Sequence, residues 1–360
     1  MSARLLEQQI GDIRWLVLRG NRPAAFTALG AHAAVQIRSI IEEASGLARL
    51  RARTQARPAA QLLEEICRAS RTAYPDAWLE LCSLAEGAGV ELADLLLLNL
   101  RGDLGIDDHG CSDFGWTDGT HALLGHNEDD DSALNGRCCL LTLMLEDEAA
   151  VTTWWVPGIL PGNTFSVNEH GLVWGIDSLT VIEPPVAPGR CFVARSVQRV
   201  ATVDEALGYL RHHPSAGGFA YNYGKIGDAR LTTIETGAGH AGACDADQTG
   251  RCAFWHTNHA RFLPDRLTAA SEDSLARAGL MSQTTVPAAP SVDWIVDLLT
   301  GTPLPRGVRA PDTAELMTLC TFVADLQSAE VTLLPHDGRP VTLRLDDLAR
   351  GNPSLARIVQ

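Results

Sequence analysis

No stretch of this chain approaches the roughly 18 consecutive apolar residues that a bilayer-spanning helix needs, so no membrane partner is expected. The apolar start IRWLVL follows Asp12, contains Arg14 and is too short for the core of a secretory signal, which makes a cytoplasmic protein the expectation. Positive charge is also scarce: 29 Lys and Arg stand against 44 Asp and Glu, a formal net charge of −15. Phosphate binding needs a surplus of basic side chains on some face, so a nucleic-acid partner is not expected either. The nine cysteines are odd in number, follow no disulfide-framework spacing and include no CxxC pair. That points to reduced thiols and away from a structural zinc site. His256 and His259 sit three apart, but no HExxH pattern or cysteine pair accompanies them, and a structural or pocket-lining role is expected for HTNH. The run Asp129 to Asp131 lacks the alternation and the downstream glutamate of a calcium loop. No metal and no other cofactor is expected. Internal repeats and long low-complexity linkers are absent.

What is present suits a globular enzyme. The 360 residues, 46% hydrophobic and 20% charged, can bury a sizeable core as one large domain or two tightly joined ones. After a strand over Ile13 to Leu18, Gly20 and Pro23 mark a turn. Apolar residues then recur at helical spacing over Ala33 to Leu50, Ala59 to Tyr74, Ala77 to Ala88 and Glu91 to Asn99. At Cys111 the period changes. Short strands with turn punctuation follow to about Glu235: ALLGHN, CLLTLML, VTTWWV, TFSVN, LVWGIDSL and LTTIET. A helix over Cys191 to Leu210 interrupts them, further helices fall near Ser274 to Leu280 and Val292 to Leu299, and EVTLLP and PVTLRL return to strand. Helices first, then antiparallel strands with helices outside, describe an α+β layered architecture.

The chemistry concentrates at Gly110-Cys111, within RGDLGIDDHGCSDFGW and shortly before GHNEDDD. A cysteine directly after an unhindered glycine, at the start of a strand, could attack the carbonyl before it and cut its own backbone. Cys111 would then carry a thiol and a free amine. The amine (pKa about 8) titrates close to the thiol (about 8.5) and can take its proton, so nucleophile and base sit on one residue. Standing alone, a cysteine is more often a small buried hydrophobe.

Several segments, in this order, carry a family resemblance: Gly20 to Gly30, ELCSLAEGAGVELADLLLLNLRGDL, the Gly110-Cys111 junction, GHNED at 125 to 129, VNEHGL at 167 to 172, YNYGKIGDARLTTIE at 221 to 235 and HTNH at 256 to 259. The chain resembles the acyl-coenzyme A:6-aminopenicillanate (isopenicillin-N) acyltransferase family of autoproteolytic N-terminal-nucleophile hydrolases from about residue 13 to the last strands. The resemblance implies a four-layer αββα sandwich of two antiparallel sheets. It implies maturation into an α fragment, 1 to 110, and a β fragment, 111 to 360, that remain partners in one fold. Cys111 matches the nucleophile and Asp129 the aspartate needed for processing. Asn222 matches an asparagine of the oxyanion hole, whose amide can donate to the negative oxygen of a tetrahedral intermediate. Arg277 is the candidate for the family's arginine near the active site. Asn127 and His256 are candidate substrate-binding residues. At GIDSL the family usually has asparagine where this chain has Asp177, and a carboxylate there could bind a substrate amine. Trp154, Trp155 and Trp174 could line an aromatic pocket or be plain core.

The expected reaction is cleavage of an amide, N-acyl or aminoacyl, in a small molecule or peptide through a Cys111 thioester. Water would make the protein an amidohydrolase; a second amine or coenzyme A would make it an acyltransferase. A papain-like thiol protease is the third alternative, but its CGSCW-type signature is missing. A homo-oligomer is left open.

Overall fold

A computed structural model describes residues 3–105, 110–246, 253–264, 266–302, 306–313 and 315–352, and the backbone of 357–358. The part of the glycine-cysteine run at 106–109 lies outside the described residues. The chain opens with a hairpin of β1 (Arg4–Ile10) and β2 (Ile13–Gly20), followed by helices α1 (Arg22–His32), α2 (Ala34–Glu43), α3 (Ser45–Arg53), α4 (Arg57–Ala73), α5 (Pro75–Ala88) and α6 (Leu92–Asn99). The segment around Gly20 and Pro23, expected as a turn, starts a helix. The Asn21 side chain accepts from the Ala24 N–H at 3.1 Å, and Pro23 stands in the first turn, where its missing N–H costs nothing. The single helix expected over Ala33 to Leu50 breaks at Ala44, whose ψ of 118° is extended, into α2 and α3.

From Ser112 the chain is mostly strand: β3 (Ser112–Thr117), β4 (Ala122–Asp130), β5 (Cys139–Leu145), β6 (Val151–Trp155), β7 (Ser166–Asn168) and β8 (Leu172–Val181). Two helices follow, α7 (Arg190–Val197) and α8 (Val203–His212), where the periodicity suggested one. Thr202 caps α8 by accepting from the Glu205 N–H at 3.1 Å, which resets the helix. Then come β9 (Gly218–Lys225), β10 (Thr232–Gly237), β11 (His240–Asp245), β12 (Ala253–His256), β13 (Thr268–Ala269), α9 (Glu272–Gln283), α10 (Val292–Thr300), β14 (Met317–Asp325), β15 (Glu330–Pro335), β16 (Val341–Arg344), α11 (Leu345–Ala349) and β17 (Arg357–Ile358).

The strands form two sheets. The larger runs β1-β2-β5-β6-β7-β8-β9-β10-β11, with β13 added to β8; the smaller runs β12-β3-β4-β14-β15-β16-β17. Every pairing is antiparallel except β2 with β5, which is parallel from Trp15 opposite Leu140 to Gly20 opposite Leu145. The sheets stack where β3 and β4 meet β8. α1 and α8 lie against the larger sheet and α9 and α10 against the smaller, giving the αββα order. Alternation along β4 builds the interior. Leu123, on the α10 face, joins Phe114, Trp116, Ile295, Leu299 and Val323 in one apolar cluster, while Leu124 and Phe322 belong to the main core. Each such fully buried side chain contributes about 1.5–3 kcal/mol.

No single helix among the described residues is long and apolar enough to cross a membrane. The bent pair α1–α2 passes on length and composition alone, yet its Phe26, Leu29, Ile37 and Ile40 are buried in the main core.

Candidate active site

The site sits where the smaller sheet meets the larger, at the head of β3. Cys111 is 6% exposed, and an arginine packs close against the residue before it. Arg277, on α9, spends all five of its N–H donors. It bonds Asp273 through Nε (2.9 Å) and Nη2 (2.7 Å), Asn258 Oδ1 through Nη2 (2.7 Å), and both the Cys111 carbonyl and Ser112 Oγ (2.6 Å) through Nη1. It is 1% exposed, so it is no solvated helix-face arginine. A Cβ on Gly110 would fall 2.6 Å from Arg277 Nη2 and 3.2 Å from Asp273 Oδ2. With the guanidinium pinned on every donor, Gly110→Ala should cost about 1–3 kcal/mol of stability, seen as a lower Tm. A wild-type Tm would refute the close approach.

Asp129 is not on a solvated turn. It is the penultimate residue of the buried strand β4, is 1% exposed, and neither carboxylate oxygen has a hydrogen-bond partner of good geometry. Burial pushes its pKa up to about 7, against the Arg277 charge and Thr318. The neighbouring acids are spent elsewhere: Asp130 pairs with Arg101 at 2.6 Å, and Asp131 accepts from the Ser45 N–H and Oγ.

The inter-sheet face of the same strand carries residues that sequence reasoning missed. His126 lies between Asp113 (Nδ1 to Oδ2, 3.0 Å) and Glu128 (Nε2 to Oε2, 3.1 Å), all three buried. Burial alone would lower the His126 pKa, but the two carboxylates raise it well above 6.5, so His126 is an imidazolium. On β12 of the same sheet a second histidine repeats the pattern, with both of its acids on the facing sheet. His256 lies between Asp177 and Glu235, each at 3.0 Å, and these acids overcome burial to push it up to about 9. Glu235 also accepts from the backbone N–H groups of Arg261, Phe262 and Leu263. The two triads meet at Asp113 and Asp177. Oδ1 of each lacks a donor, and one shared proton satisfies both, keeping Asp113 protonated up to about pH 7 and Asp177 ionised. Gly175 permits the contact, since a Cβ there would fall 2.2 Å from Asp113 Oδ1 and 2.8 Å from His126 Nδ1.

The thiol feels this acidity. Burial first, then the charges of Glu128, Asp177 and Asp129, push the Cys111 pKa well above its usual value, opposed by a backbone hydrogen bond at Asp129. Cys111, His126 and Glu128 present heteroatoms within 4.8 Å of one another, as do Asp113, His126 and Asp177. Both nitrogens of His126 are already engaged by carboxylates, so hydrogen bonding accounts for each grouping.

The remaining candidates divide. Asn222, on β9, donates from Nδ2 to Asp177 Oδ2 at 3.0 Å and accepts from Thr233 Oγ1 at 2.7 Å, which fixes its amide in the cleft with one N–H to spare. Asp177 has internal partners in His256 and Asn222, so its buried charge needs no substrate amine. Asn127 faces away, tying Leu299 O (2.8 Å) and Thr321 (2.6 Å) across the α10 side of β4. His259 bonds Ser274 Oγ at 2.8 Å, apart from His256. Trp154, Trp155 and Trp174 are core, Trp154 edge-on to Phe322. The eight described cysteines are free thiols.

A buried cysteine heading an inner strand of an αββα sandwich defines an N-terminal-nucleophile enzyme, a hydrolase or acyltransferase acting on amide bonds. A family model described as "Acyl-coenzyme A:6-aminopenicillanic acid acyl-transferase" matches residues 116–339, and the chain belongs to that family. The match begins at Trp116 and does not cover Cys111. Two solved structures are similar in shape. A penicillin V acylase from Agrobacterium tumefaciens shares 13% identity over 67% of this chain and 89% of its own, with a TM-score of 0.40. A variant of conjugated bile acid hydrolase from Clostridium perfringens shares 11% identity over 69% and 97%, with a TM-score of 0.42. These overlaps are too loose to assign a role to any residue. Among curated proteins, no relative matches the chain.

Proposed function

We propose that this chain cuts itself between Gly110 and Cys111 and that the new N-terminal Cys111 then opens amide bonds of a small molecule or peptide. The observation that carries the reading is Asp129: a buried carboxylate with no good hydrogen-bond donor, interacting with a cysteine whose nitrogen becomes an ammonium only after the cut. In the mature protein the α-amine accepts the thiol proton and the thiolate adds to the substrate carbonyl. The spare N–H of Asn222, with backbone donors, holds the oxyanion. The amine then returns its proton to the leaving nitrogen, and water resolves the thioester.

Family membership favours a second reading of the last step, in which an acceptor amine or thiol takes the acyl group in place of water. Hydroxylamine separates the two: interception as a hydroxamate in preference to hydrolysis marks a transferase.

The test of the whole proposal is denaturing electrophoresis with intact-mass analysis. Wild type should give fragments 1–110 and 111–360, and Cys111→Ala one full-length band without turnover. A wild-type chain that stays whole and still cleaves substrate would falsify the proposal.

A further inference from the structure

We infer that Glu128, held by His126, is the base that takes the Cys111 thiol proton when the chain cuts itself. The inference rests on the self-cleavage reading and fills a gap in it. Before the cut the Cys111 nitrogen is a peptide amide with no basic lone pair, so the amine that serves the mature enzyme cannot serve this step. Some other group must receive the proton from a thiol whose surroundings hold it strongly.

The geometry singles out one of the three carboxylates whose charge reaches the sulfur. Asp177 is committed to His256 and Asn222. Asp129 lies on the other face of β4, toward Arg277 and Thr318. Glu128 projects from β4 into the inter-sheet cleft, and its oxygen, the Cys111 sulfur and a His126 nitrogen all fall within 4.8 Å of one another. That separation closes by a small side-chain rotation or through one water, as the bonds of a resting site often do. Glu128 is also suited to the task. Burial raises its pKa, which makes it a stronger base than an exposed carboxylate, while the His126 imidazolium at 3.1 Å opposes that rise and favours the carboxylate. Asp113 pins the far nitrogen of that ring at 3.0 Å, so the imidazolium stays beside the sulfur and faces the thiolate once the proton has left. His126 is a positioning residue in this arrangement.

The step balances. The S–H proton passes to Glu128 and the sulfur bonds to the Gly110 carbonyl carbon. As the tetrahedral adduct collapses, the bond from that carbon to the Cys111 nitrogen breaks and the nitrogen takes the proton back from Glu128. A thioester and a free amine result. Water then hydrolyses the thioester, releasing the Gly110 carboxylate and the thiol.

The test compares self-cleavage with the chemistry of protein supplied already cut. Full-length chains are followed by electrophoresis. The pre-cut form is made by co-expressing residues 1–110 with a second chain that starts Met-Cys111, whose initiator methionine is removed, and its reactivity is read as the p-nitrophenol burst from p-nitrophenyl acetate, corrected with Cys111→Ala. Glu128→Gln should slow self-cleavage about 100-fold. It should slow the burst of the pre-cut protein by less than a tenth of that factor, because the α-amine is then the base. Glu128→Asp, which restores a carboxylate, should recover part of the cleavage rate, and His126→Asn should cleave at an intermediate rate. A pre-cut Glu128→Gln protein that still gives a burst shows that the variant folds. Cleavage of Glu128→Gln within threefold of wild type overturns the inference, as does an equal loss of both rates. Wild type that never cleaves would instead sink the self-cleavage reading itself.

Discussion

Replacing Asp129 with asparagine is expected to stop self-cleavage and, in uncut protein, to raise stability at alkaline pH. The two effects share one cause. In the uncut chain the Asp129 carboxylate is buried without a good donor, and its pKa stands at about 7 in place of 3.8. Below pH 3.8 folded and unfolded chains both hold the proton. Between 3.8 and 7 only the folded chain holds it, so stability falls as pH rises through that window and stays at its lower value above 7, a loss on the order of 4 kcal/mol at most. Asparagine has no charge to desolvate. In a Cys111→Ala background, which keeps the chain whole, Asp129→Asn should therefore raise Tm most at pH 8.5, less at pH 5, and change it little below about pH 3.8. In the chain that can cut, the same amide cannot stabilise the ammonium that forms as the peptide bond breaks, and full-length protein should accumulate. A Tm at pH 8.5 equal to or below that of the Cys111→Ala parent would show that Asp129 already has its counter-charge and is no orphaned acid.

How far the sequence carries toward this site follows from what its patterns encode. Helices α4 to α6 are legible because their apolar spacing is local, and six strands from β4 to β10 are legible because each alternates or runs apolar between turn residues. α1 is not, because Gly20 and Pro23 read as a turn until Asn21 is seen capping it. β14 escapes for a different reason: MTLCTFVAD, buried on both faces between β4 and β15, has little alternation to detect, although its Thr318 sits opposite Asp129. Within the site, Cys111, Asp129, Asn222 and Arg277 could be named from motifs. The linked triads could not, since Asp113, Asp177 and Glu235 come from three strands and meet only when the sheets stack. One signal was available. His126 and Glu128 alternate within GHNED, which places both on one face of β4 and, by the pairing of β3 with β4, beside Asp113.

Removing Glu80 should destabilise the protein by about 3–5 kcal/mol and weaken the hold between residues 1–110 and the rest of the chain. Glu80, on α5, is fully buried and receives Arg195 of α7 in two bonds, Nε and Nη2 each at 2.8 Å, while Arg22 of α1 shares the Oε1 that accepts from Arg195 Nη2. Arg22 also reaches Asp147 at 2.8 Å and Glu148 at 3.2 Å. The cluster thus crosses the proposed cut: Arg22 and Glu80 precede it, and Asp147, Glu148 and Arg195 follow it. Glu80→Ala leaves two buried guanidinium groups short of a counter-charge, and their desolvation is what the variant exposes. The partly exposed pair Arg51–Asp94, at 2.8 Å, is the control: screened by water, it should cost under about 1 kcal/mol on Asp94→Ala. Other bonds span the same junction. β2 pairs with β5, Trp15 Nε1 donates to Thr142 Oγ1 at 2.8 Å, and Asn99 holds the Gly158 carbonyl and the Leu160 N–H. Cut wild-type protein should therefore elute from gel filtration as one species holding both fragments. Cut Glu80→Ala should release fragment 1–110 at a lower urea concentration. Equal urea midpoints for Glu80→Ala and Asp94→Ala would mean that the buried cluster contributes no more than a surface pair, and that the sheet alone joins the two halves.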